Sequence, residues 1–161
     1  MRLLRRLPLR IRPDTRKAHQ MTKEILTGNA LRDWGDPPET KALYWSGACQ
    51  ALVAAIGARG CKTSPIRDVL LRAHTEAYSR LHDARTAGSG LGCDWDRLTP
   101  EQQAWYSMGA AETLSDVLDA LPDSVIEHHP GGLKSLQAAR RRWIAENQKL
   151  GDDYARKVGL L

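Results

Sequence analysis

One block of this sequence occurs twice, and that echo limits what the chain can become. Asp33-Trp34 is followed by Pro38-Glu39, Ala42, Tyr44, Gly47-Ala48, Leu52 and Ile56. Asp94-Trp95 is followed by Pro100-Glu101, Ala104, Tyr106, Gly109-Ala110, Leu114 and Leu118. The offset is 61 residues at the Asp-Trp pair and 62 from the proline onward, so one inserted residue reconciles the copies. An internal duplication explains the match. Within each copy the tyrosine, the glycine three residues on and the alanine after it fall on one helical face. In the first copy Ala51 and Ala55 prolong that strip, leaving one side of the helix nearly bare. The distance between packed helices follows the side chains at their contact. Two such strips are therefore expected to cross unusually closely, with the duplicated helices related by a pseudo-twofold axis. The rival expectation is that each strip accepts a different helix or a second copy of the chain.

Helix signals surround both blocks. Asp36 can cap a helix that opens at Pro37-Pro38, where proline's missing N–H costs nothing, and runs to about Ile56. Ser64-Pro65 opens a second helix by the same logic, with Ile66, Val69, Leu70, Ala73, Ala77, Leu81 and Ala84 on one face. Asp68, Arg72, Glu76 and Arg80 form an i,i+4 ladder on the side expected to be solvated. Thr99 and Pro100 start the duplicate helix, which Pro122 stops. A short turn follows over Asp123 to Glu127. His129-Pro130-Gly131-Gly132 is then expected to break the chain before a last helix over Leu133 to Leu150, ended by Gly151. Ahead of all these, Ala18, Met21 and Ile25 suit a short helix from Asp14 to Thr27. The Trp opening each unit is expected to plug one end of the bundle, with its indole N–H on a carbonyl. No period-two run of β-branched residues appears. The expected fold is all-α: a single helical bundle of two tandem helix-pair repeats plus a short N-terminal helix. Unit 1 spans about 33–87, a Gly-rich joint spans 88–92, and unit 2 spans about 94–150.

Charge is unevenly placed. The net charge is +5, and 17 of the 24 basic residues are arginine, a bias that a GC-rich coding sequence alone can produce. Residues 1–20 hold seven cations against Asp14, so the rest of the chain carries −1. Residues 1–13, interrupted by Pro8 and Pro13, read as a flexible basic arm in front of a helical domain over 14–161. Met21 is an alternative start. The pI of about 9.3 thus describes an arm that attracts polyanions rather than a basic domain. At 161 residues the domain is large enough to bury about 70% of its unfolded surface.

Three cysteines, Cys49, Cys61 and Cys93, show no Cys-x-x-Cys spacing and suggest a reducing, cytoplasmic setting. No apolar run is long enough to span a membrane, and the first residues lack a secretion h-region. Gly57 to Ser64 imitates a phosphate loop but has Cys61 where the motif needs Gly-Lys, and it leaves a helix rather than a strand. Gly88, Gly90 and Gly92 lack the strand that a dinucleotide site requires. Glu127, His128, His129, His74, His82 and Cys93 lack structural-zinc spacing, and neither a metal nor a cofactor is expected. Gln50 and Glu112 occupy matching positions in the two copies, a remnant symmetric polar site or two exposed residues. No paired-carboxylate, Ser-His-Asp or Cys-His arrangement is legible.

These readings favour a non-enzymatic interaction protein, such as a small bacterial or phage accessory, assembly or inhibitor protein. It would bind a protein partner through a helical surface and the basic arm, with Arg5, Arg6, Arg10, Arg12, Arg140, Arg141 and Arg142 as docking charges. One alternative is a nucleic-acid-associated protein whose arm follows the phosphate backbone. Another is a small-ligand binder or enzyme with a cavity near His74, Tyr78 and His82. A homodimer is a further candidate assembly.

Overall fold

The computed structural model describes residues 38–62, 65–86 and 94–160. The basic arm, the 14–27 helix, Asp33-Trp34, the Asp36 and Ser64 caps, the 88–92 joint and Cys93 lie outside the described residues. Among the described residues every regular element is helical. The helices are α1 (Pro38–Gly57), α2 (Ile66–Thr86), α3 (Pro100–Ala120), α4 (Asp123–His128) and α5 (Pro130–Lys157), with single 3-10 turns at Arg59–Cys61 and Trp95–Arg97. No described helix is long and apolar enough to cross a membrane.

Among the described residues, α1 forms the middle of the bundle. Residues 42–49 of α1 are buried without interruption, so this helix has no solvent side over two turns. Its composition permits this, because a helix that is apolar or small all round is stable only when covered all round. α2 packs on one side of α1 and α3 on the other, while α5 covers α3. Leu52, Ile66, Leu70, Leu114, Leu118 and Leu136 are fully buried in the shared core. Each such side chain contributes about 1.5–3 kcal/mol by leaving water.

α1 and α3 cross at their tyrosine–glycine pairs. A Cβ added to Gly47 would fall on the backbone carbonyl of Tyr106, and one added to Gly109 on the carbonyl of Tyr44. The contact is reciprocal: each glycine meets the carbonyl of the tyrosine that precedes the other helix's glycine by three residues. Only hydrogen fits on either side of the crossing.

The local signals that set the helices act much as expected. Thr99 caps α3 with a full capping box: its hydroxyl accepts from Gln102 N, and its own N–H donates to the Gln102 side chain at 2.9 Å. α2 buries Ile66, Leu70, Ala73, Ala77, Leu81 and Ala84, the face that spacing marks out. The charged ladder opposite is not uniformly solvated. Glu76 and Arg80 are half-buried, joined at 2.8 Å, and the Arg80 guanidinium sits 4.9 Å above the ring of the fully buried Trp45. Trp45 is wide enough to reach the edge of the α1–α2 interface, where the planar cation helps bury a ring that would otherwise meet water, for about 1 kcal/mol.

The last helix departs most from expectation. It begins at Pro130 rather than Leu133 and continues through Gly151 to Lys157. Proline at the first helical position starts a helix instead of breaking one. Gly132 is required where it stands because the Arg59–Cys61 turn and Ile66 lie against it, while a Cβ at Gly131 would meet nothing within 4 Å. A Cβ at Gly60 would approach the Gly131 carbonyl oxygen to 2.5 Å, and one at Gly132 would meet Gly60 O at 2.7 Å. Gly151 carries no comparable duty, since a Cβ there meets nothing within 4 Å.

The two classes of glycine separate in a stability measurement. Gly47→Ala forces a methyl into backbone and is expected to cost about 3 kcal/mol, the upper range for overpacking. Gly151→Ala is expected to stabilise by about 0.5–1 kcal/mol, since alanine is the better interior helix residue. Urea denaturation followed by circular dichroism checks both, and equal midpoints for the two variants would contradict the crossing described here.

Candidate functional site

The α1–α3 crossing brings polar groups from the two blocks together. Tyr44 is buried to 6% exposure, and its hydroxyl donates to Glu112 Oε2 at 2.5 Å. A phenol bonded to a carboxylate is a charge-assisted hydrogen bond, stronger than a neutral one. Gln50, which matches Glu112 in the first block, is exposed and does not mirror this contact.

α5 is fastened to α3 beside that bond. Asn147 Nδ2 donates to Ala104 O and to Ser107 Oγ, both at 2.9 Å, and Ser107 Oγ donates onward to Ala104 O at 3.0 Å. An open depression of about 430 Å³ lies between the two helices, lined by Met108, Ala111, Glu112, Ser115, Ile144 and Asn147 among others. Its floor is mostly apolar, with Glu112 and Asn147 already engaged with their neighbours. Asn147 and Ser107 are contacts that sequence reasoning missed: an isolated Asn on a polar-looking helix carries no signal until its partner helix is known.

The end of the bundle beyond this depression is aromatic. Trp95 lies 5.4 Å from Tyr106 and 5.7 Å from Trp143, and Tyr106 and Trp143 are 5.8 Å apart. Trp95 thus covers the bundle end, where Leu43 and Leu98 join the cluster. Its backbone carbonyl accepts from Gln103 Nε2 at 3.1 Å.

The residues singled out from sequence do not converge. His74 is half-buried and stacks on Tyr78 at 6.2 Å, while Tyr78 is 57% exposed and His82 faces solvent. The α3–α5 depression takes none of the three. Arg141 and Arg142 are exposed, whereas Arg140 is half-buried, as three consecutive helical positions require. Arg5, Arg6, Arg10 and Arg12 lie outside the described residues. His128 Nδ1 lies 2.7 Å from the Ser124 carbonyl oxygen, an in-helix contact. Among the described residues no group of three or more His, Cys, Asp or Glu side chains is arranged to hold a metal ion.

Cys61 closes the helix-to-helix turn. It is fully buried, its Sγ points at Gly132 O at 3.6 Å, and burial pushes the thiol pKa up. Gly57 to Lys62 therefore forms a turn wedged against the start of α5 rather than an open loop around a ligand.

No protein-family model, curated protein or solved structure matches the chain. What the geometry offers is a solid core, a shallow depression already bridged by side chains, and a long outer helix.

Two outcomes follow from this geometry. Tyr44→Phe removes a buried donor to a carboxylate and is expected to cost about 1.5–3 kcal/mol in urea denaturation, with the helical spectrum unchanged. Stability should also fall above about pH 9, the ordinary thiol value. There the unfolded Cys61 ionises while the buried thiol holds its proton, so the unfolded state binds fewer protons and loses free energy relative to the folded one. The decline from this one group is at most about 1.4 kcal/mol per pH unit and ends where the folded thiol ionises, and Cys61→Ala should remove that component.

Proposed function

We propose that this chain is a non-enzymatic interaction protein, built from two tandem helix-pair units fused into one bundle, that binds another macromolecule through α5 and the Arg-rich N-terminal residues. The reciprocal contacts of Gly47 with Tyr106 and of Gly109 with Tyr44 support the tandem reading, since the same residues of each block serve the same contact. The observation that carries the functional reading is the exposure of α5. It is the longest helix, with 28 residues, yet buries only Gly132 and Leu136. Ile144 and Tyr154 on α5, with Val158 and Leu160 just past its end, are 43%, 65%, 48% and 76% exposed, four of the seven large apolar side chains left in water among the described residues. Apolar surface concentrated on α5 and the residues that follow it, on the same helix as the exposed Arg141 and Arg142, supports an interaction surface rather than a passive face.

The test is an affinity capture from cell extract with three proteins: the full chain, a version lacking residues 1–20, and Arg141→Glu/Tyr154→Ser. The full chain should retain a specific macromolecule, identified by mass spectrometry or nucleic-acid staining, that the α5 variant loses at least tenfold. Retention equal to an unrelated bait, or equal across all three proteins, overturns the reading.

A further inference from the structure

The outward side of α5 carries a line of cations. Lys134, Ala138, Arg141, Ala145, Lys149, Asp152 and Arg156 are all exposed. At 100° per residue they share an arc of about 80°, opposite the buried Leu136 and the Asn147 contact to α3. Arg142 borders the same arc. The line from Lys134 to Arg156 is about 33 Å long at 1.5 Å per residue. Across α5 as a whole, Lys134, Arg140, Arg141, Arg142, Lys149, Arg156 and Lys157 stand against Glu146, Asp152 and Asp153. Of the cations on the line only Arg156 has an ion-pair partner among the described residues, Asp153 at 3.6 Å.

The chemistry of this line discriminates among partners. A protein interface draws its affinity from buried aromatic or aliphatic anchors. Between Lys134 and Lys149 the residues separating the cations are Ala138 and Ala145, with Asp152 interrupting the row only beyond Lys149, and Ile144, Tyr154 and Val158 all lie off the arc. A membrane-surface helix needs its apolar face free to enter the lipid. That face of α5 is occupied by α3 over the stretch from Leu136 to Asn147. What remains, from Lys134 to Lys149, is a rigid row of long cations without an ion-pair partner among the described residues, separated by side chains small enough to let a charged rod approach. Such a row suits a partner whose affinity is supplied by phosphate charge and counterion release rather than by apolar burial. Residues 1–20, with a net charge of +6, add a second cationic element on the same chain.

We infer that the outer face of α5 is a docking ridge for the phosphodiester backbone of nucleic acid, read without base specificity. The inference rests on the interaction reading above and names its partner. Lys134, Arg141, Arg142 and Lys149 make the backbone contacts.

The experiment measures fluorescence anisotropy of a labelled mixed-sequence DNA duplex, and of an RNA duplex of the same sequence, against the full-length protein over a salt series. Arg141→Gln/Arg142→Gln/Lys149→Gln is compared with the wild type after its thermal melt is shown unchanged. Wild type should bind at low salt with an affinity that falls linearly on a log–log plot. The triple variant should bind at least tenfold more weakly, with the slope reduced by about 2–3. An equal response of both duplexes, or of one alone, supports the ridge and identifies which backbone it takes. Wild-type binding that the triple variant retains in full would place the contact elsewhere and overturn the inference. So would binding to anionic phospholipid vesicles with the same loss in the variant but no binding to either duplex. If neither duplex binds while affinity capture still depends on α5, the nucleic-acid assignment fails and the interaction reading stands. If neither assay shows α5-dependent binding, both fail.

Discussion

Everything in this molecule is arranged around one approach of backbone to backbone, where Gly47 and Gly109 let α1 and α3 meet through each other's tyrosine carbonyls. A side chain at either position would hold the helices apart, and the contacts flanking the crossing would be lost with it. Tyr44 reaches Glu112 only because the helices are this close. Leu52, Leu114 and Leu118 fill the core on either side at no exposure or nearly none. Small residues here are the condition for tight packing rather than a weakness in it, because interior packing leaves few gaps and little room to relax.

The outer layers follow from that central contact. α1 is covered by α2 on one flank and α3 on the other, so the polar burden falls on the helices outside. α2 meets it with exposed charges and with the Arg80 guanidinium over Trp45, which hides an aromatic ring at an interface edge. α5 meets it with cations along one side and with Asn147 on the other, an amide that bonds backbone already committed to α3. The result is a core almost free of ionisable groups and a final helix that concentrates positive charge on its outer face.

Much of this was legible in the residues, and the misses have physical causes. The helix limits at Pro38, Pro100 and Ala120 follow from proline at the first turn, the Thr99–Gln102 box and Pro122. The apolar stripe of α2 follows from its period. The close crossing follows from the spacing of Tyr, Gly and Ala. The start of α5 was misplaced because His129-Pro130-Gly131-Gly132 is rich in residues that terminate helices in isolation. Here the Gly60 backbone and the Ile66 side chain lie against Gly132 and make its lack of a side chain useful. The i,i+4,i+8 spacing of His74, Tyr78 and His82 runs along the edge of the apolar stripe of α2, from the half-buried His74 to the exposed Tyr78 and His82. The cationic row on α5 was hidden. Arg140, Arg141 and Arg142 dominate the linear sequence, whereas the row skips Arg140 and reaches seven and eight residues to Lys134 and Lys149, which shows only once the inward face is fixed.

The burial of α1 on all sides also bears on the order in which the chain can reach its native state. A helix with a wet face can dock early and keep that face in water while later segments arrive. α1 has none between Ala42 and Cys49, and the tyrosine and glycine that complete its cover are synthesised long after it. Closing that long loop comes before the contacts that compensate for it, which slows folding relative to a bundle stitched by neighbours. Until α3 is made, the first block can be no more than a marginal helix lying on α2, its tightest surface still open to solvent and to whatever else the growing chain encounters.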